Sequence, residues 1–224
     1  MKPTHTAIIP VPRTDPAHWL ARHESFVQRA QQGEVDILFL GDSITEGWRE
    51  CGLNVWKKHY ESRRAAAFGI DGDRTQHVLW RLDHGELDGI NPRVVVLLIG
   101  TNNTGREKTD TNKIRNTVSE AIEGVQAIVR KLREKLPDSR ILLLALFPRG
   151  TPNDPQRAQI AAINAALATL DDGKMVKFLD IGRKFLEADG TLSEELVPDL
   201  LHLSERGYRA WAEAMEPTLN ELLK

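Results

Sequence analysis

The chain has 224 residues, of which 41% are hydrophobic and 28% charged, so it fits one folded domain and not a disordered, collagen-like or low-complexity protein. Thirty Lys and Arg residues against 32 Asp and Glu residues give a formal net charge of −2, and no run of like charge is long enough to act as a nucleic-acid arm, which argues against a nucleic-acid partner. A single cysteine, Cys51, excludes an internal disulfide framework and a zinc site built from several cysteines.

The amino-terminal segment and the apolar runs bear on where the protein is found. Residues 1–16 carry prolines and polar residues where a secretory signal has an apolar stretch. The longest apolar runs have six or seven residues, far fewer than the roughly 20 that cross a bilayer. We therefore expect a cytoplasmic protein without a membrane span. We expect a single domain over residues 1–224, with residues 1–18 as an amino-terminal extension.

Five short apolar runs rich in branched side chains predict β-strands. They lack in/out alternation, which is typical of parallel strands that helices cover on both faces, and the stretches between them are long enough for crossover helices. We predict an α/β fold, a three-layer α/β/α domain around a doubly wound, five-stranded parallel sheet. The runs are Asp36–Leu40, Ala65–Phe68, Val94–Ile99, Ile141–Phe147 and Val176–Leu179.

Three helices can be placed from apolar periodicity and capping residues. One is predicted from about Asn112 to Lys135, and a second begins near Pro155. The last begins at Ser204, a candidate helix cap, and runs towards Leu223. Since ligands of doubly wound sheets bind outside the carboxyl ends of the strands, the residues that follow each strand are the candidates for a site.

The first strand is followed by the sequence GDSITEGW, which places Ser43 at a strand-to-helix turn. A serine there presents its hydroxyl at the sheet edge and its own backbone N–H at the start of a helix, where negative charge is favoured. Both properties suit a nucleophile. On the local sequence alone, however, a helix cap formed by Ser43 or Asp42 is the simpler explanation.

Two further strand ends carry residues that can donate hydrogen bonds to a ligand. Gly69 follows the second strand and permits close backbone approach, and Asn102 follows the third strand with a side-chain amide. Either residue can also serve an ordinary loop. Near the carboxyl terminus, Asp199 and His202 are three residues apart, and within one helical turn Asp199 can orient His202 as a general base. A surface ion pair is an equally good explanation of these two residues taken alone.

Read in chain order, these four segments resemble the SGNH hydrolases, also called the GDSL esterase family. The resemblance rests on Gly-Asp-Ser, on Gly69, on Gly-Thr-Asn at 100–102 and on Asp-x-x-His at 199–202. It extends over residues 68–103, LFPRG at 146–150 and DLLHLSERGY at 199–208, which are similar to the catalytic subunits of intracellular platelet-activating factor acetylhydrolase and their bacterial relatives. It covers most of the chain from about Trp19 onward and implies the flavodoxin-like SGNH hydrolase fold.

The resemblance also implies a function and a set of site residues. It implies a serine esterase that hydrolyses short-chain carboxylic esters, acetyl esters above all, through an acyl-enzyme, without a metal or organic cofactor and as a homodimer. It implies catalytic Ser43, Asp199 and His202. The Ser43 N–H, Gly69 and Asn102 would form the oxyanion hole, and the neighbours of the matched positions, Ile44, Thr101 and Leu201, would border the acyl group.

Three alternatives stay open at this point. A carbohydrate O-acetylesterase fits the same residues as a lipid acetylhydrolase, because the sequence does not identify the alcohol. A non-catalytic binding module on the same fold would be expected to lack Ser43 or His202, and both are present. A metal-dependent phosphoesterase would need converging carboxylate and histidine ligands, for which Asp42, Asp180 and His202 are the candidates.

Overall fold

Five parallel strands form one sheet in the computed structural model, which describes residues 5–13, 18–107 and 109–224. Each strand overlaps one predicted apolar run, so the predicted parallel α/β sheet is confirmed; the run that begins at Ile141 ends its pairing at Leu144. Part of the predicted extension, residues 1–4 and 14–17, lies outside the described residues. The strands are β1 (Ile37–Gly41), β2 (Ala65–Gly69), β3 (Val94–Leu98), β4 (Arg140–Leu144) and β5 (Val176–Leu179).

Seven α-helices connect and cover these strands within the described part of the chain. Every residue of β1 and of β3 is buried, which requires helices on both faces of the sheet and gives the three-layer arrangement. None of the described helices is long and apolar enough to cross a membrane. The helices are α1 (His18–Gln31), α2 (Ser43–Glu46), α3 (Leu53–His59), α4 (Thr75–Asp83), α5 (Val118–Lys135), α6 (Pro155–Leu167) and α7 (Glu205–Leu222).

The strand order β2-β1-β3-β4-β5 determines where a site can form. From β1 the chain crosses to β2 on one side, and it then returns to place β3 on the other side of β1. Loops that leave β1 and β3 therefore diverge, and a crevice opens between their carboxyl ends. The residues that follow Gly41 and Leu98 border this crevice.

An aromatic cluster packs α7 against β1 and the segment after α2. Trp48 and Trp211 are fully buried, and their ring centroids are 4.9 Å apart. Phe39 of β1 contacts Trp48 edge-on at 5.7 Å. The Tyr208 hydroxyl donates a hydrogen bond of 2.7 Å to the carbonyl of Ile44, so α7 also fixes the position of α2. Burial of rings of this size contributes a large share of the hydrophobic stabilisation of a domain.

The helix ends test the capping predictions. Ser204 caps α7 as predicted, because its hydroxyl accepts a hydrogen bond from the Gly207 N–H at 3.2 Å. The predicted start of α5 at Asn112 is wrong, since the helix begins at Val118. Thr117 and Glu120 form a capping box there, and the preceding residues pair with residues 103–107 instead: the Asn116 N–H donates to the Asn103 carbonyl at 3.1 Å.

Candidate active site

Ser43 is the first residue of α2, directly after β1, and its neighbour Asp42 supplies the helix cap. Asp42 Oδ1 accepts a hydrogen bond from the Ile44 N–H at 3.1 Å. The capping role considered for Ser43 therefore belongs to Asp42, and the Ser43 hydroxyl is available for another partner. The turn is tight: a Cβ atom on Gly41 would lie 2.3 Å from the carbonyl oxygen of Leu98, so only glycine fits between β1 and β3.

A continuous chain of hydrogen bonds joins Ser43, His202 and Asp199. His202 Nε2 lies 3.1 Å from Ser43 Oγ, and His202 Nδ1 lies 2.6 Å from Asp199 Oδ2. Because a carboxylate only accepts hydrogen bonds, Nδ1 carries the imidazole proton, and the lone pair of Nε2 faces the hydroxyl of Ser43. The structure thus brings together three predicted residues, two of which are 159 positions apart in the sequence.

A bend in the backbone brings the side chains of Asp199 and His202 together. The prediction that one helical turn would do so is wrong. Leu200 has a φ of 63°, which breaks any helix at this point. Asp199 Oδ1 accepts hydrogen bonds from the backbone N–H groups of Leu201 at 3.0 Å and of His202 at 2.6 Å. The carboxylate therefore holds both the backbone and the ring of His202. The Gly150 N–H also donates to the Leu200 carbonyl at 2.8 Å, which ties the bend to the loop after β4.

These contacts set the charge state of Asp199. Burial by itself raises the pKa of this carboxyl group, but the hydrogen bonds from the His202 backbone and ring and from the Leu201 N–H outweigh it and hold the pKa below its ordinary value. Asp199 is consequently ionised at neutral pH and can stabilise a positive charge on His202.

The three candidate oxyanion donors lie at the carboxyl ends of β1, β2 and β3. As the first residue of α2, Ser43 has no intrahelical acceptor for its N–H. A Cβ atom on Gly69 would lie 2.3 Å from the backbone nitrogen of Glu46, so β2 approaches the Ser43 turn closely only because of this glycine. Asn102 lines a cavity together with Ser43 and His202. Its Nδ2 donates to the Asp73 carbonyl at 3.0 Å, which leaves the second amide hydrogen for a ligand.

A cluster of buried charged side chains lies beneath these donors, and the sequence analysis does not predict it. Arg81 is fully buried; its Nη2 donates to the Gly41 carbonyl at 3.0 Å and its Nη1 to the Phe68 carbonyl at 3.3 Å. Its Nε lies 3.0 Å from Asp73, and Nη1 is paired with Glu86. Arg81 therefore fixes the ends of β1 and β2, and Asp73 connects it to Asn102.

Two cavities meet at Ser43 and His202. We call one the basic cavity; it has a volume of about 330 Å³. The other, of about 370 Å³, has acidic lining residues in Glu46 and Glu50. A larger apolar cavity of about 590 Å³ beside α6 is lined by none of the predicted catalytic residues. The basic cavity is lined by Arg13, Ser43, Asp71, Gly72, Arg74, Asn102, Glu107, Thr109, Arg115, Arg149, Leu201 and His202.

The structure separates the three residues expected to border the acyl group. Leu201 lines the basic cavity with Ser43. Ile44 and Thr101 are only 2% and 3% exposed, and neither is among the described residues that line the two cavities at Ser43. Of the three, Leu201 alone borders the same space as the Ser43 hydroxyl.

The candidate metal ligands of the phosphoesterase alternative are not gathered together. Asp180 lines the apolar cavity beside α6, and its Oδ1 accepts a hydrogen bond from the Gly182 N–H at 2.8 Å. Within the described ranges, no three His, Cys, Asp or Glu side chains lie together so that they could hold a metal ion.

Comparison with known proteins agrees with this geometry. The GDSL-like Lipase/Acylhydrolase family matches residues 39–210. The chain belongs to this family. Human platelet-activating factor acetylhydrolase IB subunit alpha1 is 36% identical over 206 residues, which are 92% of this chain and 84% of that protein.

Solved structures share the fold. A GDSL-like lipase from Bacteroides thetaiotaomicron is 14% identical, with a TM-score of 0.69 over 92% of this chain and 98% of its own. An acetylxylan esterase from Geobacillus stearothermophilus is 20% identical, with a TM-score of 0.63 over 83% of this chain and 93% of its own. The SGNH hydrolase resemblance and fold are therefore confirmed, and the chain is an esterase of this family.

Proposed function

We propose that this protein is a serine esterase that hydrolyses short-chain carboxylic esters, acetyl esters above all, through an acyl-enzyme. The observation that carries the proposal is the hydrogen-bond chain from Ser43 Oγ through His202 to Asp199, at 3.1 Å and 2.6 Å. A hydroxyl, an imidazole and a carboxylate in this order activate a nucleophile. Membership in an acylhydrolase family supports the same reaction class.

The reaction follows from these positions. Nε2 of His202 takes the proton of the Ser43 hydroxyl as Oγ attacks the ester carbonyl, and Asp199 stabilises the imidazolium. The tetrahedral intermediate collapses as Nε2 returns the proton to the departing alcohol. Water then attacks the acyl-enzyme, with His202 again as the base, and releases the acid. In both half-reactions Nε2 of His202 first accepts the proton of the attacking group and then returns it to the leaving oxygen, which in the second half-reaction is Ser43 Oγ.

The negative oxygen of the intermediate needs donors that are fixed before the reaction. We assign this task to the backbone N–H groups of Ser43 and Gly69 and to Nδ2 of Asn102. Asn102 is oriented by its hydrogen bond to the Asp73 carbonyl, so its free hydrogen is already held in one direction. Removal of one such donor typically costs about 3 to 4 kcal/mol of transition-state stabilisation.

The proposed preference for short acyl groups rests on the space around Ser43. Leu201 lines the basic cavity and is fixed at its backbone by Asp199. Ile44 and Thr101 are packed in the interior and leave little room for a chain to grow in their direction. A longer acyl group must displace packed side chains, at a cost of about 1 to 3 kcal/mol for such overpacking.

Several finer statements stay predictions. A lipid-type acetyl ester is favoured by the similarity to the acetylhydrolase subunit, and a carbohydrate O-acetyl ester is favoured by the fold shared with an acetylxylan esterase. The homodimer, the cytoplasmic location and the extent of the amino-terminal extension also stay predictions. A non-catalytic module would have no need of an intact Ser43–His202–Asp199 chain.

Replacement of the nucleophile tests the reaction. We expect Ser43→Ala to lose at least about 10³-fold in kcat on p-nitrophenyl acetate, because the residual activity of triad variants is that low. A fluorophosphonate should label the wild type once, on Ser43, as read by mass spectrometry. Ser25→Ala removes an exposed hydroxyl on α1 and is the matched control. An alanine variant of Ser43 that keeps most of its activity contradicts the proposal.

The acyl preference is tested with a series of p-nitrophenyl esters from acetate to octanoate. We expect kcat/KM to be highest for acetate in the wild type. In Leu201→Ala the preference should broaden towards butyrate and hexanoate, because the variant enlarges the cavity beside Ser43. Leu20→Ala, at an exposed position on α1, controls for the loss of a leucine. A wild-type optimum at six or more carbons would refute the small-pocket proposal.

A further inference from the structure

The guanidinium of Arg149 lies beside the nucleophile. Arg149 is in the loop after β4 and lines the basic cavity with Ser43, Asn102 and His202. Its Nη1 donates to Thr101 Oγ1 at 3.2 Å. No carboxylate of the described residues lies within 4.0 Å of its nitrogen atoms. A half-buried cation of this kind retains N–H donors that point to no acidic partner.

The backbone that carries Arg149 is fixed on both sides. Arg157 of α6 donates from Nε to the Arg149 carbonyl at 2.6 Å and from Nη2 to the Gly150 carbonyl at 3.0 Å. The Gly150 N–H donates to the carbonyl of Leu200, next to Asp199. The loop is thus joined to α6 and to the bend that holds the catalytic pair. Such support keeps Arg149 in place relative to Ser43.

The basic cavity carries more positive than negative charge. It is lined by four arginines and two carboxylates. Arg74 is neutralised by a two-fold hydrogen bond to Glu107 at 2.8 Å and 2.6 Å. Arg115 donates to the Asn102 carbonyl at 3.1 Å, and its Nε is 3.9 Å from the same Glu107. The single negative charge of Glu107 is therefore shared by Arg74 and Arg115, and Arg149 adds a further positive charge to the cavity.

The local electrostatics agree with this imbalance. Burial lowers the pKa of Arg149, against the attraction of the more distant carboxylates of Asp154, Asp42 and Asp199. Burial and the neighbouring charge of Arg74 lower the pKa of Arg115 against the attraction of Glu107, and the charge of Arg149 lowers it further. The shift at Arg149 is that of a guanidinium group that has lost water without gaining a close anion, whereas Arg115 shares Glu107 with Arg74. A bound anion would supply what is missing.

We infer that Arg149, together with Arg115, binds a carboxylate or phosphate group on the alcohol part of the ester substrate. The inference rests on the proposed esterase function and names its substrate class: esters of short acids with an anionic alcohol. The acetyl group is too small to carry a second functional group, so an anion that reaches the arginines must belong to the alcohol. Planar guanidinium groups match both anions through paired N–H donors.

Three acetate esters of related phenols test the inference: meta-acetoxybenzoate, meta-acetoxyphenyl phosphate and the uncharged methyl meta-acetoxybenzoate. Each variant is compared with wild type on the same ester, so differences in intrinsic reactivity cancel. We expect Arg149→Gln to lose about 10- to 100-fold in kcat/KM on an anionic ester, mainly through KM, and less than about 3-fold on the uncharged one. Arg149→Lys should retain part of the preference. Arg130→Gln, at an exposed position on α5, is the control for the loss of one positive charge.

The outcomes separate the possibilities. A selective loss on both anionic esters, or on one of them, supports the inference and identifies which anion is bound. Equal losses on charged and uncharged esters would mean that Arg149 acts on the catalytic groups alone, and no loss on any ester would mean that it has no part in binding; either result overturns the inference. Hydrolysis of the uncharged ester that depends on Ser43 leaves the proposed function standing in both cases. Thermal melting of each variant verifies that it is folded.

Discussion

Two adjacent residues divide the tasks at the end of β1. Ser43 points its hydroxyl at His202, and Asp42 caps α2 with Oδ1. Asp42 is 1% exposed, and its second oxygen has no hydrogen-bond partner among the described residues. Burial raises the pKa of Asp42 to about 7, although the Ile44 N–H opposes this rise. The turn therefore holds, next to Ser43, a buried carboxyl group that is protonated below neutral pH and ionised above it.

The pH dependence of stability tests this state of Asp42. Since its pKa rises from 3.8 in the unfolded chain to about 7 in the folded one, the folded protein binds more protons between these values, and stability falls as pH rises through that window. Asp42→Asn keeps the cap and removes the charge. We expect its gain in unfolding free energy over wild type to be about 2 kcal/mol larger at pH 8 than at pH 5, measured by urea titration.

A control and a contrary result are available for this comparison. Asp88→Asn removes an exposed carboxyl group at the end of the segment after α4. Its stability difference from wild type should change little between the two pH values. If Asp42→Asn behaves in the same way, Asp42 is ionised without penalty in the folded state, and the buried, protonated form described above is wrong.

Single residues also show what the sequence could reveal about the site. The sequence makes Ser43, Gly69 and Asn102 candidates because each lies at or just after the end of a predicted strand. Arg149 also follows a strand, β4, but in the sequence it looks like an ordinary charged residue of a solvent-exposed loop. Whether such an arginine faces water or the nucleophile depends on contacts with α6 and with Leu200, and neither leaves a local pattern.

At the scale of secondary-structure elements, continuous apolar runs were the most reliable signal. Strands buried on both faces must be apolar throughout, so β1 and β3 could be located directly. The start of α5 was placed too early because Ile114 continues the helical spacing. Thr117 and Glu120 carry the capping-box signal that marks the true start. Capping chemistry thus locates a helix end better than periodicity, which a loop residue can extend by chance.

The bend at Asp199 shows the limit of local prediction. Leu200 adopts a positive φ without being glycine, asparagine or aspartate, and nothing in its residue type indicates this conformation. Tertiary contacts impose it: the Gly150 N–H donates to the Leu200 carbonyl, and Asp199 Oδ1 accepts from two backbone N–H groups. Backbone strain of this kind is typical of functional sites, where surrounding contacts maintain it. The pairing of Asp199 with His202 was predictable, but the conformation that achieves it was not.

For the molecule as a whole, the buried Arg81 joins segments that are distant in the sequence. It contacts the carbonyls at the ends of β1 and β2 and pairs with Asp73 and Glu86. Asp73 in turn accepts a hydrogen bond of 2.7 Å from Nε1 of Trp19 in α1. A sequence shows such charges only as members of an amphipathic helix or a loop. Their burial together is a property of the folded chain, and it places one rigid polar cluster under the site.

Stability measurements test this role of Arg81. Arg81→Leu removes the cation that pairs with two buried carboxylates, Asp73 and Glu86, and leaves Asp73 only Arg13, whose Nη1 is 3.5 Å away. We expect a loss of about 3 to 5 kcal/mol in unfolding free energy at pH 8. Burial raises the pKa of both Asp73 and Glu86, and Arg81 opposes the rise. Without Arg81 both carboxyl groups should protonate more readily, so the loss should be smaller at pH 5. Arg81→Lys, which keeps a charge, should lose less than Arg81→Leu.

An exposed pair provides the comparison that decides whether burial is the cause. Arg209 and Glu205 are one turn apart on α7 at 3.4 Å, with side chains that are 54% and 44% exposed. Arg209→Leu should change the unfolding free energy by less than about 1 kcal/mol, because water screens and solvates both charges. If Arg81→Leu and Arg209→Leu cost the same, the Arg81 cluster does not hold the strand ends together. A variant of Arg81 that folds only at acid pH would instead support this role of the cluster. Without the cation, Asp73 and Glu86 would have to be protonated before the chain could fold.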